Sequence, residues 1–422
     1  MNGRRWRRVV VATLLTAMLV TAGCGVSSRP LASQAALGPT VAPTFTPRPQ
    51  LIKEIARPYA GGRYTLQVPS NWNGGLVLYA HGYEGEREGP GELGTPDLGS
   101  WWLAQGYGWA ASSYRSAGYR VDWFIEDMLA LRALVLDQLG RPRWLILYGQ
   151  SMGGHVATSS LELHPGMYDG AMAECGVVDG VGEGDYQVAY AAAAEYISRI
   201  PLLDPPDPDT FRMNVGRWLQ VMGQPGRYTD KGRQFDSVIK HLAGGDLPER
   251  IPGLMGNRYV ANLGPHVEPS RAPTSMPIRR AVDTRPIRFH IDAGLGLSDE
   301  DLNASVRRFA PAPEARSREL NPVFADLTGR LSAPLLTIHT TGDAWVPMRL
   351  EQEYRRKTIA AGTEHLLVQR ATQHPGHCDF SAGERQQAFT DLVGWIERGI
   401  RPAGEDVLAA DVSTLGLRWT LP

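Results

Sequence analysis

The chain has 422 residues, 43% hydrophobic and 21% charged, with a net charge of −1. That is enough for one large domain or a core with an insertion, and it excludes the basic excess of a nucleic-acid binder and the acidic tracts of a disordered chain. Without residues 1–23, which hold four Arg and no acid, 39 basic residues face 44 acidic ones, a mildly acidic −5.

Arg4, Arg5, Arg7 and Arg8 precede an apolar stretch over residues 9–20, too short for a comfortable bilayer span. The pattern reads as an export signal. It ends in Thr21-Ala22-Gly23-Cys24, which resembles the lipobox of bacterial lipoproteins, where the Cys is lipidated and becomes the new N-terminus; Thr21 stands where that motif prefers Leu. The resemblance implies a signal peptide over residues 1–23, lipid on Cys24, and a membrane-anchored protein facing the cell exterior or periplasm. A retained signal anchor and a conventional cleaved signal are the alternatives. Residues 24–52 are rich in Pro, Ser, Thr and Ala and lack an apolar period, so a flexible tether is expected.

Short apolar runs then alternate with helical patterns. Residues 63–68 alternate in polarity, as an antiparallel edge strand would, and residues 76–80 are continuously apolar up to His81-Gly82. Residues 97–107 read as a helix and 108–113 as a strand. In 121–139 Val121, Ile125, Met128, Val135 and Leu139 recur at helical spacing before Gly140. Residues 144–148 form an apolar strand, 152–164 a helix and 170–174 a strand. The alternation predicts an α/β chain with a mainly parallel sheet covered by helices on both faces.

The pattern is lost over residues 176–330, which contain Pro clusters and one expected helix at 185–200 and read as an inserted, mostly helical cap. Strands resume at 335–339 and 364–369. The last helix starts near Ser381, with Glu384 at capping-box spacing. The expected organisation is a core of residues 53–175 and 331–402, a cap of 176–330 and a tail of 403–422 that carries no clear signal.

Between the strand at 144–148 and the next helix lies Gly149-Gln150-Ser151-Met152-Gly153, a G-x-S-x-G turn in the context that motif requires. Ser151 is the expected nucleophile, on a strained turn that only small flanking residues permit; the competing reading is a phosphate-binding turn at a helix N-terminus. Together with residues 64–82, Gly342-Asp343-Ala344-Trp345-Val346-Pro347 and Gly376-His377-Cys378-Asp379, this turn resembles secreted bacterial α/β-hydrolases of the esterase type over roughly residues 60–180 and 331–400.

The resemblance implies the α/β-hydrolase fold, Asp343 as the catalytic acid, His377 as the base, and the backbone N–H groups of Tyr83 and Met152 as the oxyanion hole. For Asp343 the alternative is an Asx-turn. For His377 the alternatives are His374 as base, or a metal site of His374, His377, Cys378 and Asp379, which no second cluster completes. His81 is expected to support its loop, and Tyr83 has a hydroxyl that offers a second way to act.

Cys175 and Cys378 are expected at one edge of the sheet, where they either form a disulfide or remain buried thiols. Tannase-like and feruloyl-esterase-like enzymes also carry a Cys after the catalytic His, but bridge it to one immediately before the Ser, where this chain has Gln150. The functional expectation is an ester hydrolase acting on a small molecule, needing no cofactor or metal and binding no nucleic acid. A peptidase or amidase on the same fold and a non-catalytic binding lipoprotein are the rivals. In the insertion, Trp218, Tyr228, Met255 and Tyr259 either line a pocket or build a core.

Overall fold

Along the chain, β1 (Glu54–Tyr59) and β2 (Gly62–Gln67) lead to β3 (Gly75–Ala80), α1 (Gly99–Ala104), β4 (Gly108–Ser112), α2 (Val121–Leu139), β5 (Trp144–Gln150), α3 (Met152–Leu163) and β6 (Gly170–Glu174). An insertion follows, with α4 (Gly182–Ser198), α5 (Pro208–Met222), the ribbon β7 (Gly223–Gln224) and β8 (Arg227–Tyr228), and α6 (Asp230–Ala243). It continues through the short α7 (Arg250–Leu254), α8 (Arg258–Ala261), α9 (Ile278–Ala281) and α10 (Asp299–Ser305). The main sheet resumes with β9 (Leu335–Thr340), α11 (Met348–Ala361), β10 (Leu367–Thr372) and α12 (Ala382–Arg398). The structure, a computed structural model, describes residues 54–59, 62–85, 89–256, 258–264, 278–316 and 327–421. The export signal, Cys24 and the tether lie outside the described residues.

The eight-stranded sheet has the order β1-β2-β4-β3-β5-β6-β9-β10. The pairings β1–β2 and β2–β4 are antiparallel and all the others are parallel. The strand expected over residues 63–68 is therefore antiparallel but not an edge, because β1 covers it. Alternating polarity reports a half-wetted face and carries no information about what pairs along the strand's length. The strand expected at 364 begins instead at Leu367, since Glu364–Leu366 form a 3₁₀ turn.

Two apolar layers sandwich the sheet. On one face α2 buries Val121, Phe124, Ile125, Met128, Leu131 and Val135 beside Val156 and Leu161 of α3 and Tyr354 of α11. Gly140, at φ 78°, ends α2 in a backbone conformation that costs a glycine little. On the other face Trp102 of α1 and Phe389 of α12 pack with Trp144 and Tyr148 of β5. Ser381 and Glu384 form the capping box that starts α12. Each such buried side chain contributes roughly 1.5–3 kcal/mol.

The insertion has its own apolar cluster, built on Tyr190, Trp218, Phe235 and Tyr259. Trp218 and Tyr259 thus serve a core, while Tyr228 packs against it and Met255 is exposed. Residues 403–421 lie against the core, with Val407, Val412, Leu415 and Trp419 buried and the Arg370 guanidinium stacked 3.7 Å from the Trp419 ring. Among the described residues, no helix is long and apolar enough to cross a membrane. A mostly parallel sheet with helices on both faces and a helical insertion after β6 is the α/β-hydrolase fold.

Candidate active site

Ser151 stands between β5 and α3 at φ 55°, ψ −119°, a region sterically hostile to any residue with a Cβ. The turn is held by Ser151 N–H donating to Glu174 O (2.9 Å) and by the Ser151 carbonyl accepting from Gly154 and Val177 N–H (2.8 and 3.2 Å). The flanking glycines are required by contact: a Cβ on Gly149 would collide with the Gly153 carbonyl, and one on Gly153 with the carbonyl of Ala80.

The chain brings two distant loops to this hydroxyl. His377 Nε2 lies 2.8 Å from Ser151 Oγ, and His377 Nδ1 lies 2.5 Å from Asp343 Oδ2. Asp343 uses its other oxygen locally: Oδ1 accepts from the N–H groups of Trp345 (2.9 Å) and Val346 (3.1 Å). The turn-forming reading of Asp343 and the catalytic one are therefore compatible, one for each oxygen. Burial would raise the Asp343 carboxyl, but His377, helped by His339 and the Val346 N–H, holds the acid below its usual range. Burial would lower the His377 imidazole, but the Asp343 carboxylate outweighs that and holds it above its usual range.

Met152 opens α3, so its N–H belongs to the first turn, which has no helical acceptor for it. Gly82 packs against the nucleophile, since a Cβ there would lie 3.2 Å from Ser151 Cβ and 3.7 Å from Oγ. The Gly82–Tyr83 backbone is thereby placed beside the hydroxyl. The ring of Tyr83 is 47% exposed. His81 is buried, with Nδ1 2.8 Å from Gly82 O and its ring 4.3 Å from that of Tyr114.

His374 lies apart from this arrangement, with Nε2 2.9 Å from Glu384. Cys378 is bonded to Cys175, so neither offers a thiolate to a metal. Both half-cystines, like Ser151, have positive φ (45° at Cys175, 55° at Cys378). A second brace runs beside the disulfide. Arg385 of α12 donates to Glu174 Oε1 (2.8 Å), to Cys378 O (2.9 Å) and to Phe380 O. Gln150, immediately before the nucleophile, joins this brace through Glu174 (3.2 Å) and Tyr79 (3.0 Å).

Two residues of the site were not legible in the sequence. Glu183, on the first turn of α4, has its carboxyl pushed up to about 7 by desolvation, with His377 opposing and Asp343 adding to the shift. Trp345 is 43% exposed, its ring 5.7 Å from that of His377. The helix was expected to start at 185, which left Glu183 outside it, and Trp345 fills a variable position of the Gly342–Pro347 segment, where the motif itself assigns it no role.

No curated protein matches the chain. Among solved structures it is similar to feruloyl esterase B from Aspergillus oryzae (12% identity, 82% of this chain and 80% of that one, TM-score 0.47). It is also similar to an acylaminoacyl peptidase from Pyrococcus horikoshii (15%, 86% and 43%, 0.41) and to dipeptidyl peptidase 4 from Porphyromonas gingivalis (11%, 79% and 33%, 0.38). The chain spans less than half the length of either peptidase. Over residues 52–198 it matches the Tannase-like family of unknown function (DUF6351), a stretch that includes Ser151 and ends before Asp343 and His377.

Proposed function

We propose that this chain is a serine hydrolase that cleaves carboxylic esters through an acyl-enzyme. The reading rests on one observation above all: a hydroxyl on a strained turn, an imidazole and a carboxylate linked at 2.8 and 2.5 Å from three separate segments. In the mechanism His377 takes the Ser151 proton as Oγ attacks the ester carbonyl, while Asp343 holds the Nδ1–H tautomer and stabilises the imidazolium. The oxygen of the tetrahedral intermediate is received by the N–H groups of Met152 and Tyr83. His377 then protonates the leaving alcohol as its C–O bond breaks, and a water activated by the same imidazole hydrolyses the acyl-serine.

Trp345 and Tyr83 present exposed rings on the acid loop and the oxyanion loop, which suits an apolar or aromatic group on the substrate. The Tannase-like match is in keeping with an ester. The insertion acts as a cap that limits access. We place the enzyme outside the cytoplasm, anchored through lipid on Cys24, and the disulfide fits an oxidising compartment.

The test is hydrolysis of p-nitrophenyl esters beside aminoacyl anilides, with Ser151→Ala as control. The expected result is ester turnover, lost by on the order of 10⁴-fold or more in the variant, and labelling of Ser151 by a fluorophosphonate. Preferential anilide cleavage would move the assignment to the amidases, and an unlabelled Ser151 would leave a binding protein.

A further inference from the structure

Behind Asp343 lies a buried polar group that the proposed mechanism does not use. His339, the penultimate residue of the strand β9, and Glu351, on α11, have side chains about 1% exposed. His339 Nε2 is 2.7 Å from Val346 O. A carbonyl can only accept, so Nε2 carries a proton. His339 Nδ1 then faces Glu351 Oε1 at 3.8 Å, and both atoms are buried without a hydrogen-bond partner. On the other side, His339 Nε2 is 3.8 Å from Asp343 Oδ2. The imidazole thus stands between two buried carboxyl groups, equally far from each.

Burial pushes the Glu351 carboxyl above its usual range, and His339, Gln369 and Thr337 oppose that by favouring its ionised form. Glu351 Oε2 accepts from Thr337 Oγ1 (2.8 Å) and Gln369 Nε2 (2.6 Å). The other charges around this pair are engaged elsewhere. On α11, Arg349 and Arg356 meet Glu353, Arg355 donates to Glu364 O (3.3 Å), and Lys357 meets Asp179. On the neighbouring strands, Glu174 and Arg370 pair in register with Ile338 and so share its face, opposite that of His339. There they hold Arg385 and Asp391. Glu405, from the C-terminal segment, accepts from Ala371 and Gly416 N–H.

We propose that His339 is a positively charged positioning residue for Asp343, with Glu351 as its counter-ion. The assignment rests on the serine-hydrolase reading only for its effect on turnover. An unprotonated Nδ1 facing an ionised carboxylate would put two lone pairs together in a dry site, and two buried carboxylates without a cation between them would repel. The His339 cation meets both demands. It also fixes the acid turn, because Val346 accepts from His339 through its carbonyl and donates to Asp343 Oδ1 through its N–H.

The experiment is an NMR titration of the His377 imidazole in the full chain, for the parent and for His339→Gln, Glu351→Gln and the double variant. Gln at 339 keeps an N–H donor for Val346, and far-UV circular dichroism checks the fold. His377 is itself faced by Asp343, Glu183 and Arg258, which all four proteins share. Removing the cation in His339→Gln raises the His377 midpoint by about one pH unit, and removing its counter-ion in Glu351→Gln lowers it by a similar amount. The double variant returns close to the parent. Unmoved midpoints in both single variants, or shifts of the same sign, overturn the proposal; if His339→Gln does not fold, the shift in Glu351→Gln decides alone. If the parent cleaves no ester, the serine-hydrolase reading falls while the titration still reports on His339.

Discussion

The disulfide between Cys175 and Cys378 closes a loop of 203 residues in sequence. Chain entropy for a loop that long gives an upper value of about 5 kcal/mol, with about 2–4 more usual for disulfides. The positive φ at both cysteines persists when Ala replaces them, so it cancels from the comparison and leaves the cross-link itself to set the difference. We therefore expect Cys175→Ala/Cys378→Ala to lose about 2–4 kcal/mol in urea unfolding followed by Trp fluorescence. Activity falls less steeply. Arg385 still holds the Cys378 and Phe380 carbonyls, so kcat of the folded variant stays within about tenfold of the parent, short of the roughly 100-fold cost of a misplaced catalytic group. Adding Arg385→Met then costs more than the two changes summed, because the His loop loses both braces at once. An unchanged urea midpoint with an unchanged slope in the Cys variant would refute the cross-linking argument.

Activity and the stability contribution of His377 run in opposite directions with pH. Its folded pKa lies above the unfolded value near 6.5, so its stabilising contribution is complete below about 6.5 and is lost as pH rises through the folded pKa. The base must be neutral to act, so kcat/KM rises through that same folded pKa; a pH–rate midpoint below about 6.5 contradicts the pairing with Asp343. Asp343→Asn leaves the turn bonds to Trp345 and Val346 available but loses the charge and the tautomer control, and kcat falls by about 10⁴-fold with KM little changed. Gly153→Ala drives a methyl into the Ala80 carbonyl, and thermal unfolding should show a loss of at least about 3 kcal/mol.

How much of this was legible in the sequence depends on whether a signal was local. The helix α2 could be read in full because its apolar stripe is continuous and Gly140 stops it. The nucleophile could be read because steric demand fixes the identity of its neighbours. Asp343 and His377 followed from resemblance and chain order. The strand β1 was missed because its six residues include Pro58 and show no alternation. The insertion was opaque because its core joins Tyr190, Trp218, Phe235 and Tyr259 from four separate helices, a pattern with no period. His339 and Glu351 gave no sign in the chain, since the groups they meet, Val346, Thr337, Gln369 and each other, come together only in the fold.

Among the described residues, the insertion is anchored to the catalytic loops through Gly253, Arg258 and Asn262. Gly253 packs so closely on Gly342 that a Cβ would meet its carbonyl, Arg258 donates to Pro375 O (3.2 Å), and Asn262 donates to Ala344 O (2.5 Å). A grafted substitute lacking those three anchors would withdraw support from both the acid turn and the imidazole turn. Retargeting by module exchange should therefore retain residues 253–262 as a hinge plate and vary only what lies beyond them.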